Sequence, residues 1–261
     1  MTGPLLELEH VTKRFGQVVI AEDLSFAVSP GEVVGIVGPN GAGKTSLFGL
    51  ISGDLAPGAG EIRFAGRAVT RLEPAARCRL GIGRTYQVPR PFGDMTVFEN
   101  LLVAAQQGGG LRRRASYAAA VEALDRAGMA GHANVPAERL GLLQRKRLEL
   151  ARALATQPTL LLLDEVAGGL TDPEVAQLVE IVRDVNAGGI AVIWIEHVVR
   201  ALTPVVSRLI CLAGGTFVGD GDPGSVLADP AVREVFLGTD VTAALAGGAL
   251  HGSAPDGETQ P

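Results

Sequence analysis

Gly38-Pro39-Asn40-Gly41-Ala42-Gly43-Lys44-Thr45, followed by Ser46, is the stretch that decides how this chain folds. It fits the pattern G-x-x-x-x-G-K-[ST], in which a glycine-rich loop wraps its backbone N–H groups around phosphates. Before it, Glu32-Val33-Val34-Gly35-Ile36-Val37 is short, apolar and β-branched, the composition of a buried strand. After it, Ser46 to Ile51 continues as a helix. Strand, loop and helix start together bring N–H groups and the positive helix end to a polyphosphate. Lys44 is then expected to reach the β- and γ-phosphates, and the Thr45 hydroxyl to ligate Mg²⁺. A glycine-rich turn that merely precedes a lysine would not require both flanks.

The rest of the composition bounds what surrounds this loop. A chain of 261 residues, 47% hydrophobic and 20% charged, is globular and long enough for a large core. Its net charge of −5 supplies no field toward nucleic acid or anionic lipid. The basic run Arg112-Arg113-Arg114 follows three glycines and reads as a solvated loop. Cys78 and Cys211 lack metal-ligand spacing and read as reduced structural thiols. Neither a secretory signal nor an apolar run of spanning length is visible, so a cytoplasmic protein is expected, with any membrane connection made through a partner.

Leu5 to Val11 and Val18 to Val28 are expected strands. Glu61 to Gly66 resembles an edge strand leading into a turn. From about Phe92 to Leu154 the sequence becomes alanine-rich and helix-forming. Thr159-Leu160-Leu161-Leu162-Leu163-Asp164-Glu165 then reads as a strand buried on both faces, as parallel sheets require. Asp172-Pro173 is expected to supply an N-cap and an N1 proline for a helix ending at Gly188-Gly189, and Ile190 to Ile195 is a second buried strand. The expected fold is α/β: a phosphate-loop core with a mostly parallel sheet, flanking helices and an N-terminal antiparallel portion. Its core covers about 1–91 and 155–238, with a helical subdomain inserted at about 92–154. Residues 239–261, rich in Ala, Gly, Ser and Pro, read as a disordered tail.

The second half of the site follows from strand ends. Asp164 closes a buried strand and is placed to hold Mg²⁺ together with Thr45. Glu165, one residue on, is placed to orient and activate water for attack on a γ-phosphorus. His197, after the strand ending Trp194-Ile195-Glu196, should emerge at the same sheet edge and donate to the γ-phosphate.

With these motifs in place the chain resembles the ATP-binding subunit of ATP-binding-cassette (ABC) transporters, from about Leu5 to Gly238. The resemblance implies further roles. Phe15 matches the aromatic that stacks on adenine, and Gln87 the glutamine that meets Mg²⁺ and the attacking water and links the site to membrane subunits. His197 matches the switch histidine and Glu165 the catalytic glutamate. Arg84-Thr85-Tyr86-Gln87, Met95 to Leu101, Ile195-Glu196-His197 and Phe236-Leu237-Gly238 are similar to the importer ATPases for branched-chain amino acids. That likeness implies two membrane-spanning permease subunits, a second ATPase subunit, an extracytoplasmic solute-binding protein and a peripheral place on the cytoplasmic face of the inner membrane. Relatives in that group also move other small organic solutes.

The chain departs from the family in what it offers a partner. Where Leu-Ser-Gly-Gly-Gln is usual, it carries Leu140-Gly141-Leu142-Leu143-Gln144, without the hydroxyl and with bulk where backbone approaches closely. Val166 replaces the usual proline after Glu165, and Thr171 stands where Asp is common. Two readings follow: pairing with a different ATPase subunit, whose nucleotide faces the altered segment, or a variant in which main-chain N–H groups suffice. A cassette acting on ribosomes or DNA tends to carry two cassettes, coiled-coil insertions or a basic surface. A non-hydrolytic regulatory subunit would not need Lys44, Asp164, Glu165 and His197 together.

Overall fold

The computed structural model describes residues 3–237, and the tail read as disordered lies outside them. The chain opens with an antiparallel hairpin of β1 (Leu6–Phe15) and β2 (Val18–Val28). β3 (Val33–Val37) then enters a second sheet and leads through the phosphate loop into α1 (Lys44–Ser52). β4 (Ala59–Phe64) and β5 (Arg67–Ala68) return to the first sheet, whose order is β2-β1-β4-β5. Glu61 to Gly66 was expected at an edge; instead β4 is interior, because the two-residue β5 covers its outer side.

α2 (Pro74–Leu80) and β6 (Ile82–Arg84) precede the helical segment. This holds α3 (Val97–Val103), a π turn at 104–108, α4 (Arg114–Arg126) and α5 (Leu142–Ala155). β7 (Leu160–Asp164), α6 (Asp172–Ala187), β8 (Ala191–Ile195), α7 (Val199–Leu202), β9 (Arg208–Ala213), β10 (Thr216–Gly221), α8 (Pro223–Ala228) and α9 (Pro230–Leu237) complete it. The second sheet runs β10-β9-β3-β8-β7-β6, parallel except for β10.

The unbroken leucine run of β7 has a direct physical cause. Leu161 and Leu163 pack into a core shared with the helices α3 to α6, while Leu160 and Leu162 pack into a second core under α1 and the antiparallel sheet. β8 divides likewise, Val192 and Trp194 to one side, Ile193 and Ile195 to the other. With both faces buried, no position can be polar until the strand ends.

The start of α6 differs by one residue from the sequence expectation. Thr171 is the N-cap and Glu174 reaches back to its N–H at 2.8 Å, forming a capping box. Asp172 and Pro173 occupy the first helical turn, where proline is tolerated because that N–H has no helical partner. Both cysteines are free; burial pushes the Cys211 thiol up to about 11, so it stays protonated.

Arg77, which the sequence gives no reason to single out, anchors the helix that carries the phosphate loop. It is 1% exposed and its guanidinium donates to the carbonyls of Leu50 (2.6 Å), Ile51 (2.9 Å), Thr70 (3.0 Å) and Leu72 (3.0 Å). The bonds to Leu50 and Ile51 satisfy carbonyls that the C-terminal turn of α1 cannot satisfy internally, and those to Thr70 and Leu72 tie that turn to the segment before α2. Arg77→Ala should therefore destabilise the fold by about 3 kcal/mol, read as a lowered denaturation midpoint in urea. Arg77→Lys should recover little, because a single ammonium cannot reproduce the planar fork.

Candidate functional site

The site forms where strands of the large sheet end at one edge. β3 lies between β8 and β9, so its exit, the exit of β7 and the exit of β8 share that edge. The loop from Gly38 to Gly43 is pinned by backbone on two sides. A Cβ on Gly38 would come within 2.0 Å of the Leu212 carbonyl oxygen, and one on Gly43 within 2.3 Å of that of Ile20. Both positions have positive φ, 151° and 102°, so only glycine fits. No side chain caps α1, which leaves its first-turn N–H groups for an anion.

Lys44 is buried, 5% exposed, and donates to Gly38 O (2.8 Å) and Pro39 O (2.9 Å). An ammonium has three donors, so one remains for a ligand. Burial lowers its pKa, while the charges of Glu165 and Asp164 oppose that shift. Thr45 is exposed beside it, and Ser46, Gly41 and Asn40 complete the rim.

Asp164 is 1% exposed. One carboxylate oxygen accepts from the Arg84 guanidinium at 3.3 Å, and the other, Oδ1, has no partner. Burial raises its pKa, and Arg84 counters that first. An unpartnered buried carboxylate oxygen fits a hard cation. Among the described residues no cluster of three or more His, Cys, Asp or Glu side chains could hold a metal.

Glu165 gathers residues that are distant in sequence. Its Oε1 lies 2.5 Å from His197 Nε2, and its Oε2 accepts from the Gln87 amide. The chain turns out of β7 at Glu165 with φ 48°, a left-handed conformation, and the Glu165 N–H donates to Ile195 O at 2.9 Å. Phe15, at the end of β1, stands apart from this cluster on the hairpin whose Ile20 borders the phosphate loop. Its ring is 51% exposed, with Lys13 Nζ 5.1 Å from the centroid, and so is open to a flat ligand.

Three residues of the site carry no role in the sequence reading. Arg84 bridges Asp164, Asp54 (2.7 Å) and Ser52 Oγ (3.0 Å) and lies against the rings of Phe48 and Tyr86. Lys146 and Glu196 are buried charges behind Glu165. The signal for Arg84 was its place at the end of a strand parallel to β7; for the other two, only the topology brings them together. The altered segment starts α5: Gly141 is its N-cap without a side-chain cap, and Leu142 is half exposed and faces Gly169 of the loop after Glu165.

Comparison with known proteins shows the family. The family model for ABC transporters matches residues 21–168. The chain is 35% identical over 253 residues to the high-affinity branched-chain amino acid transport ATP-binding protein LivG of Salmonella typhimurium, covering 91% of this chain and 99% of that one. It is 33% identical over 234 residues to the lipopolysaccharide export system ATP-binding protein LptB of Acidithiobacillus ferridurans, covering 90% and 97%. The crystal structure of the ADP conformation of MJ1267, an ATP-binding cassette of an ABC transporter, superposes with a TM-score of 0.83 at 29% identity, covering 91% of this chain and 100% of that one. The chain thus belongs to the ABC transporter family, as one of its ATP-hydrolysing cassettes.

Proposed function

We propose that this cassette energises solute import, branched-chain or other amino acids being the solute class, from the cytoplasmic face of the inner membrane. The observation that carries the chemistry is the Glu165 carboxylate held between Gln87 and His197, next to an Asp164 oxygen without a partner. ATP binds with its phosphates in the loop from Gly38 to Ser46 and its adenine against Phe15. The free donor of Lys44 meets the β- and γ-phosphates. Thr45, Asp164 and the Gln87 amide oxygen would hold Mg²⁺, which would supply charge neutralisation for the phosphates. Glu165 orients a water in line with the γ-phosphorus and takes its proton as the new P–O bond forms. The bond to the bridging oxygen breaks, giving ADP and phosphate, and His197 donates to the departing γ-phosphate oxygens.

Glu165→Gln should lower turnover by roughly two to four orders of magnitude, the range of general-base contributions, with nucleotide affinity retained. Turnover measured by phosphate release decides this, and an unchanged rate removes Glu165 from the role.

The likeness to LivG supports the solute class, and the comparable identity to LptB shows why the companions must decide it. Beside Gln87 lies a cleft of about 400 Å³ between α2, β6, α3 and α5, lined by Tyr86, Phe92 and Arg152. Tyr86, Val88, Phe92 and Met95 are exposed apolar side chains near it, a surface suited to a segment of the membrane-spanning permease subunits. The half-exposed Leu142 at the altered segment lies on the face offered to a second ATPase subunit, in a hetero- or homodimer. The extracytoplasmic solute-binding protein acts through the permease alone, and no nucleic acid is engaged. Purification of the full chain from its native membrane should bring down amino-acid permease subunits and a second cassette, and Phe92→Asp should lose the permease while still binding ATP. An export permease in their place, or none, overturns the import reading.

A further inference from the structure

Lys146 lies one turn into α5 and is 5% exposed. A cation there is disfavoured because burial strips its water. Accordingly burial lowers its pKa, with Glu196 and Glu165 acting against that shift. Its Nζ donates to the main-chain carbonyl of Glu165 at 3.2 Å. Glu196, the residue after β8, is 1% exposed. Its Oε1 accepts the N–H of Ala167 at 2.6 Å and the indole N–H of Trp194 at 3.2 Å.

These two buried charges grip the chain on either side of one turn. Lys146 holds the carbonyl of Glu165 from α5, and Glu196 holds the N–H two residues later from β8. Glu165, whose carbonyl is the first of those grips, has φ 48°, a conformation that a side chain with a Cβ keeps only when its surroundings over-determine it. Buried charges are not an economical way to fill a core, since apolar residues of like volume serve as well or better. The placement of this pair follows the backbone of Glu165 instead.

We propose that Lys146 and Glu196 are positioning residues that lock the left-handed turn at Glu165, so that its carboxylate stays between Gln87 and His197. The proposal rests on the reading of Glu165 as the residue that acts on water. Because Lys146 rides on α5, the helix that begins at Gly141, any shift of α5 against the sheet also moves an anchor of Glu165.

The test compares turnover and nucleotide affinity in the full chain, assembled with its companion subunits. Lys146→Met should lower kcat by about 10- to 100-fold, the scale of a misplacement near one ångström, with ATP affinity and KM within about threefold of wild type. Lys146→Arg, which keeps a donor, should recover most of kcat. In a Glu165→Gln background, Lys146→Met should add no further loss, because both changes remove the same contribution. If Lys146→Met does not fold, the nearly isosteric Glu196→Gln gives the same comparison, with a kcat loss of several-fold at unchanged affinity. Equal losses of kcat and affinity, failure of Lys146→Arg to rescue, or additive loss in the Glu165→Gln background would each overturn the proposal. If Glu165→Gln alone leaves turnover intact, it is the reading of Glu165 that fails.

Discussion

A carboxylate buried at the end of a strand, Asp164 with one oxygen unpartnered, is the constraint on which the rest of the site depends. Isolated burial of that charge would be costly, and the fold surrounds it with positive groups. Arg84 approaches from β6 and Lys44 from the start of α1, and the remaining oxygen has no partner, as the proposed binding of a cation with the nucleotide requires. Arg84 is in turn spread over Asp54, Ser52 and two aromatic rings, which keeps its guanidinium from quenching Asp164 completely. The sheet order β9-β3-β8-β7 brings these groups to one edge, so topology and electrostatics serve the same point.

Most of that frame was legible in the sequence, for physical reasons that can be named. The loop from Gly38 to Thr45 is readable because backbone packed against Leu212 and Ile20 admits only glycine at two positions. β7 and β8 are readable because burial on both faces forbids polar residues until the strand ends. Asp164, Glu165 and His197 follow from those ends. Less was legible where the determinant is a partner distant in sequence. β4 looked like an edge strand because the two residues of β5 leave no pattern. Thr171 was passed over as an N-cap in favour of Asp172, although Glu174 three residues later marks the capping box. Arg77, Lys146 and Glu196 are single charges in ordinary contexts; the carbonyls that the two cations donate to and the N–H groups that Glu196 accepts from are set beside them by the folded chain.

The two halves of the cassette's chemistry differ in how far they keep the family's pattern. The residues proposed to meet this chain's own nucleotide, from Lys44 to His197, are of the usual kind. The departures are Leu142, half exposed at the start of α5, the exposed Thr171 that caps α6, and Val166, buried just after Glu165. Lys146 sits between these halves. Through it, the helix that carries the altered segment also touches the backbone of Glu165.

The most direct measurement is the affinity of the nucleotide-loaded protein for Mn²⁺, followed by electron paramagnetic resonance, in wild type and Asp164→Asn. If the free oxygen of Asp164 takes the cation that accompanies ATP, wild type should bind one Mn²⁺ per nucleotide and Asp164→Asn should bind it at least about tenfold more weakly. Equal Mn²⁺ affinity in the two proteins would contradict the placement of the metal and with it the electrostatic logic of the site.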